Sequence, residues 1–253
     1  MKRLNDNVVI ITGAASGMGR AMALLFSKQG AKVVASDINE ESLSKVVKEI
    51  QDEGNQAIGI VCNVAKQEDV EHLIDQAIES FGKLDILVNN AGIMDNFLPA
   101  HEVDNDTWNR VFAVNTNSVM YSMRKAIPIF MKQGKGVILN IASAAGVVGA
   151  RAGMAYTASK HAVVGMTKNA AFMYAKEGVR INAILPGGIN TNIGTTMTNP
   201  SHFGYGKTMP GMELNPRFGE SEEIARAALY LVSDEASFVN GALLAVDGGW
   251  MAY

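Results

Sequence analysis

The chain has 253 residues, 48% of them apolar and 19% charged, so disordered, collagen-like and coiled-coil classes are excluded, and one α/β domain over 1–253 is expected rather than two. Lys and Arg total 22 against 25 Asp and Glu, a net charge of -3 that offers nucleic acid no basic footprint. The single cysteine, Cys62, permits neither an intramolecular disulfide nor a cysteine metal cluster, no apolar run reaches the ~18 residues of a membrane span, and Lys2-Arg3 leads into Asn5-Asp6-Asn7, not an apolar segment. A cytoplasmic protein without metal, membrane or nucleic-acid partner is expected.

Along the chain, short β-branched runs alternate with longer polar segments, the pattern of repeated βαβ units. Strands are predicted at Val8–Thr12, Lys32–Ser36, Ala57–Cys62, Leu84–Val88, Gly136–Ala142, Val179–Leu185 and Leu243–Val246. Helices are predicted between them over 17–29, 40–53, 67–81, 104–131, 154–176 and 221–233. Most of the strands are almost continuously apolar, which requires cover on both faces and hence a doubly wound parallel sheet of about seven strands. The stretch 186–219 carries Gly, Pro, Asn, Met and aromatics without a period. Loops beyond ~12–15 residues are often lids or binding segments, and a substrate-binding loop is expected there.

Thr12-Gly13-Ala14-Ala15-Ser16-Gly17-Met18-Gly19 follows the first strand and opens the first helix. Glycines there permit a tight turn and close backbone approach, and helix N-terminal amides can meet a pyrophosphate. The spacing G-x-x-x-G-x-G is weak alone, but Asp37 closes the second strand 18 residues after Gly19, where a carboxylate accepts from a ribose 2′-hydroxyl and repels a 2′-phosphate. Neither Ser16 nor Ile38 supplies a compensating cation, so NAD is favoured over NADP. Farther along, Tyr156 and Lys160 stand four residues apart on a predicted helix, hence on one face. A nearby ammonium favours phenolate, which brings the phenol toward acid/base range. Ser143, at the end of the fifth strand, adds a hydroxyl for the same substrate oxygen. Taken singly, each of these residues has an ordinary structural use: a strand-end turn, a cap or a surface pair.

Taken together, Thr12 to Gly19, Asp37, Asn89-Asn90-Ala91-Gly92, Asn115, Ser143, Tyr156 with Lys160, and Pro186-Gly187 followed by Thr191 give the chain a resemblance, over nearly its whole length, to the short-chain dehydrogenase/reductase family. That resemblance implies a Rossmann-type fold and a homotetramer. It implies Tyr156 as catalytic acid/base, Lys160 on the ribose hydroxyls, Ser143 on the substrate carbonyl, and Asn115 holding a relay water. Asn90, Ala91 and Gly92 would line the adenosine side, and Gly187, Ile189 and Thr191 the nicotinamide end. Two departures stand out. Asn63-Val64 replaces the family's usual Asp-Val at the adenine, where the Asn63 amide oxygen can still accept, and Met18 replaces a frequent Ile.

For the substrate, Met94, Asp95, Asn96, Phe97, Val147, Val148, Met154, Met197, Phe203, Tyr205, Met209 and Met212 favour a neutral, fairly apolar or cyclic secondary alcohol or ketone, with Arg151 read as a solvated loop residue. His72, His101, His161 and His202 are not placed for catalysis. A 3-oxoacyl-[acyl-carrier-protein] reductase using NADPH is the alternative, less suited because Lys176-Glu177-Gly178 lacks the basic residue usual before that glycine. A non-catalytic nucleotide-binding protein is the other, and it would have no use for Asn115, Ser143, Tyr156 and Lys160 together. The C-terminal run Gly241 to Tyr253 is expected to be buried, within the subunit or between subunits.

Overall fold

The computed structural model describes residues 2–252. Strands β1 (Val8–Thr12), β2 (Lys32–Asp37), β3 (Ala57–Val61), β4 (Ile86–Asn89), β5 (Gly136–Ile141), β6 (Val179–Pro186) and β7 (Leu243–Val246) form one sheet in the order β3-β2-β1-β4-β5-β6-β7. Every neighbouring pair is parallel. Between the strands run α1 (Gly17–Lys28), α2 (Glu40–Asp52), α3 (Gln67–Phe81), α4 (Asn105–Phe112), α5 (Ser118–Gln133), α6 (Met154–Met173), α7 (His202–Met212) and α8 (Ser221–Val232).

Why the strands read as continuous apolar runs is visible in where alternate side chains go. Val9 and Ile11 of β1 enter one core with Met22 and Phe26 of α1, Leu43 and Ile50 of α2 and Leu229 of α8. Val8 and Ile10 enter the other with Leu73 of α3, Phe130 of α5 and Val163 of α6. The same alternation carries Val137 and Leu139 of β5 to the first core and Ile138 to the second. A strand with helices on both faces has no polar side to show. Each fully buried Phe or Leu contributes on the order of 2–3 kcal/mol of transfer free energy, and Phe26 and Phe130 are wholly enclosed. The two edge strands are partly exposed, as strands with one neighbour are.

Two elements differ from expectation. The helix predicted over 104–131 is two helices, α4 and α5, joined by a π-helical turn at Ala113–Asn117. Asp104 caps α4 through Thr107 N at 2.7 Å, and the apolar period then runs on through the turn, so composition does not betray the extra residue. A helix also stands inside the stretch read as aperiodic. Helix α7 holds Gly204, Gly206, Gly211 and Pro210 within 11 residues, a composition with poor intrinsic propensity. Tertiary contacts hold it: Ser201 Oγ accepts from Gly204 N at 2.9 Å, Tyr205 meets the Phe97 ring edge-on at 5.3 Å, and Trp250 Nε1 donates to Gly211 O at 2.8 Å.

The order of the strands places the site. Successive strands run outward from β1 to β3 on one side and from β4 to β7 on the other, so the C-terminal ends of β1 and β4 diverge into a crevice.

Candidate active site

The crevice is a cavity of about 380 Å³, and its two ends have different chemistry. At the β1 end, Thr12 Oγ1 accepts from Asn90 N at 3.0 Å and Ala91 N at 3.1 Å, while Asn90 Nδ2 donates to Thr12 O at 2.9 Å and Gly13 O at 3.1 Å. These bonds lock the glycine turn to the loop leaving β4. Gly19 must be glycine, since a Cβ there would lie 2.0 Å from Gly13 O, and Gly13 itself has a φ of +65° against Ala91. Ser16, the N-cap residue of α1, makes no side-chain cap and the first turn has no acid, so its amides are left for an anion. Asp37 stands across from them, Oδ2 accepting from Ala15 N at 3.0 Å and Oδ1 from Asn39 N at 3.0 Å. Asn90 Oδ1 is buried without a partner. An uncapped helix start, a turn stripped of Cβ atoms and a fixed carboxylate one strand away together fit a dinucleotide.

At the β5 end stand Tyr156 and Lys160, both buried. Lys160 Nζ donates to Ile141 O at 2.9 Å and lies 5.6 Å from the centre of the Tyr156 ring. Ser143 faces the phenol as a hydrogen-bond partner that lowers its pKa. Burial wins over that help, and the negative charge of Asp95 adds to burial, so the phenol is pushed up to about 12. The downward pull expected from Lys160 does not prevail, because burial pushes the ammonium itself down to about 8. An apolar group of Ala145, Ala152, Met94 and Ile193 surrounds the ring.

Of the residues singled out in the sequence, Gly13, Ser16, Gly17, Met18, Asp37, Ile38, Asn63, Val64, Asn90, Ala91, Gly92, Tyr156, Lys160 and Thr191 line the cavity. Gly19, Asn115, Ser143, Pro186, Gly187 and Ile189 are not among its lining residues. Asn115 sits in the π turn, its amide tied to Ile93 N at 2.9 Å, Ile93 O at 3.0 Å and Ser159 Oγ at 3.2 Å. Gly187 packs on Asp247, and Ile189 pairs with Gly219 at the root of the 186–219 stretch. Asn63 Oδ1 already accepts from Ala65 N at 3.1 Å, which leaves it one lone pair for a further donor. None of the four histidines lines it.

Residues that sequence reasoning missed come chiefly from the run after Thr191. Asn192, Ile193, Thr195 and Thr196 line the cavity, Asn192 Oδ1 accepting from Ser16 Oγ at 3.1 Å and Thr196 Oγ1 from Met94 N at 2.9 Å. Their signal was a short polar run directly after a recognised motif residue. Cys62 also lines the wall, with its thiol pushed up to about 11 by burial. Two expectations need correcting. None of the residues from Met94 to Met212 that were read for the substrate lines the cavity, and Asp95, Asn96 and Phe97 among them are buried in the protein. Arg151 is not a solvated loop residue, since its guanidinium lies 4.2 Å from the centre of the Trp250 ring, and that tryptophan is folded into its own chain. Among the described residues no helix is long and apolar enough to cross a membrane, and no group of three or more His, Cys, Asp or Glu is arranged to hold a metal.

A family model described as enoyl-(acyl carrier protein) reductase matches residues 13–251. A 3beta-hydroxysteroid dehydrogenase 2 of Eggerthella lenta is 49% identical over 251 residues, 99% of this chain and 96% of its own. A cyclohexanol dehydrogenase of an Acinetobacter species is 40% identical over 98% of this chain and 96% of its own. The crystal structure of a levodione reductase superposes with a TM-score of 0.89 at 33% identity, covering 99% of this chain and 100% of that one.

Proposed function

The chain belongs to the short-chain dehydrogenase/reductase family, as an oxidoreductase that interconverts a secondary alcohol and a ketone using NAD(H) or NADP(H), and from this premise we propose an NAD-dependent enzyme for a neutral, largely apolar, cyclic substrate. The observation that carries the substrate class is the setting of the phenol: Tyr156 stands among Met94, Ala145, Ala152 and Ile193, with no charged side chain but Lys160 on that side of the cavity. An apolar ring loses little by entering such a site, whereas a phosphate or carboxylate would be desolvated without a partner. The relatives named for hydroxysteroid and cyclohexanol oxidation support the same class.

In this reading Gly13 to Gly19, Asp37, Asn63, Asn90 to Gly92 and Thr191 hold the cofactor. When bound, its nicotinamide exchanges a hydride with the carbinol carbon. Tyr156 takes the alcohol proton, or returns it to the ketone oxygen. The Ser143 hydroxyl holds that same oxygen in line, and its own Oγ is fixed by Ala145 N at 3.1 Å. Lys160 has one N–H on Ile141 O and keeps two more donors for ribose hydroxyls. Asn115 Oδ1 faces the gap beside Gly92, across which Lys160 Nζ also points, and is assigned the relay water there. Residues 1–253 act as one catalytic domain, with 186–219 as the substrate-binding loop.

The test is nicotinamide absorbance with NAD and NADP against cyclohexanol, a 3-hydroxysteroid, a linear secondary alcohol and, in reverse, a 3-oxoacyl thioester. We expect turnover with NAD and the cyclic alcohols. Activity confined to NADPH and the thioester would replace this reading with the carrier-protein one.

Oligomeric state belongs to the same proposal. Phe172 is 87% exposed, Met173 61%, and Phe238 is fully exposed, an apolar outlay that an isolated subunit does not explain. A homotetramer covers it, and light scattering should return four times the 27.0 kDa chain mass; a monomeric mass would refute it.

A further inference from the structure

Helix α6 carries Tyr156 and Lys160, and its first turn lacks every local device that normally starts a helix. Its N-cap is Gly153, with no side-chain cap and no acid in the first turn. Those open amides are met from another part of the chain. Asp95 Oδ1 accepts from Gly153 N at 3.0 Å, and Oδ2 accepts from Tyr156 N at 2.8 Å. Oδ1 also takes Phe97 N at 3.2 Å, and Met154 N goes to Leu98 O at 2.9 Å. The approach is so close that a Cβ on Gly153 would fall 2.6 and 2.7 Å from the two carboxylate oxygens.

The turn that delivers Asp95 is itself constrained. Asn96 and Phe97 have φ values of 61° and 56°, left-handed for two successive non-glycine residues, an arrangement that costs free energy and needs support from its surroundings. Support comes from the substrate-loop side, where Thr198 N donates to Asn96 Oδ1 at 2.9 Å and Ser201 N to Asn96 O at 2.8 Å. Three N–H donors and, among the described residues, no acceptor meet the carboxyl, so the ionised form is the one this pocket satisfies, although burial pushes the carboxyl upward.

We propose that Asp95 is a positioning residue: its buried carboxylate caps the catalytic helix from across the chain, fixes where Tyr156 stands, and keeps a negative charge at the helix end from which that phenol projects. This rests on the acid/base reading of Tyr156. The positive end of a helix dipole would otherwise favour phenolate, and Asp95 offsets it. The groups facing Tyr156 are Lys160 from its own helix, Ser143 from the turn after β5, Asp95 from the loop after β4, and the uncharged Met94, Ala145, Ala152 and Ile193. Asp37, the other charge lining the cavity, ends β2, three strands along the sheet from β5.

The experiment compares intact wild type with Asp95→Asn in cyclohexanol oxidation by NAD from about pH 6 to about pH 10. Losing the charge should move the rising limb of kcat down by about one pH unit, a rise of about tenfold at any one pH below about 8. KM for the alcohol and Kd for NAD should stay within about twofold, as neither touches Asp95. An unmoved limb, with or without lost rate, would overturn the proposal, since a merely structural defect lowers the rate at every pH alike. Asp95→Ser, which keeps a short acceptor, is the second variant should the amide fail to fold, and its limb should move the same way. If wild type oxidises no alcohol, the acid/base reading is what has failed. Amide exchange then tests the cap separately: faster exchange confined to residues 153–157 in Asp95→Asn supports it, and unchanged exchange refutes it.

Discussion

Tyr156→Phe is expected to lower kcat for alcohol oxidation by about 10²–10⁴, the usual worth of a positioned acid/base, while Kd for NAD changes by less than about tenfold. The substitution removes one oxygen from a buried ring. Tyr156 packs on Ala145 and Ala152, and phenylalanine keeps those contacts, so thermal stability should hardly move. What disappears is the atom proposed to share the substrate oxygen with Ser143. Residual turnover within tenfold of wild type would mean that another group moves the proton, and Ser143 would be the first suspect.

The pH profile gives this prediction a sign. A phenol held up at about 12 is almost wholly protonated at neutral pH. Oxidation needs the deprotonated form, so its rate should climb with pH, near tenfold per unit while the phenol remains protonated. Reduction needs the protonated form and should stay flat over the same range. Lys160, held down at about 8, loses its ammonium above that value, and with it the positive partner of the phenolate. The climb should therefore flatten beyond about pH 8, and Tyr156→Phe should abolish the slope along with the rate.

Much of this site was readable because its determinants are local. A glycine turn between strand and helix, an Asn-Asn-Ala-Gly run after a strand and a Tyr-Lys pair one helical turn apart each state their geometry in the order of residues. The strands were readable for a different reason, their enclosure on both faces, and their ends still moved by a residue or two: β2 runs on to Asp37 and β4 begins at Ile86, not Leu84. What escaped was non-local. The π turn at Asn115 leaves the apolar period intact, and α7 is held by Phe97, Ser201 and Trp250 against its own composition. Asp95 was grouped with the substrate residues of its loop, because nothing in a sequence says whether a loop carboxylate turns toward a pocket or toward a helix end 58 residues away. The basicity of Tyr156 was misjudged in the same way: charge proximity can be inferred from spacing, whereas the burial that outweighs it belongs to the packed chain.

The second large effect concerns cofactor choice. Asp37→Ser with Ile38→Arg should reverse the preference from NAD to NADP, shifting the ratio of kcat/KM values by about 10³ or more. In the native chain both Asp37 oxygens are held by backbone amides, Ala15 N and Asn39 N, so the carboxylate cannot swing away from an incoming 2′-phosphate. Nor, among the described residues, is there a cation to answer that phosphate: Lys160, the one basic residue of theirs lining the cavity, is at its other end, and Arg20 is paired with Glu49 at 2.6 Å. The double substitution removes the repulsion and supplies a guanidinium at a position that is 67% exposed and so free to receive a longer side chain. Asp37→Ser alone should cost NAD the ribose bonds and gain little NADP activity, because deleting a repulsion leaves the phosphate without a partner. Steady-state kinetics with both cofactors checks this; a native enzyme that already prefers NADP would show that Asp37 serves the turn and not the ribose.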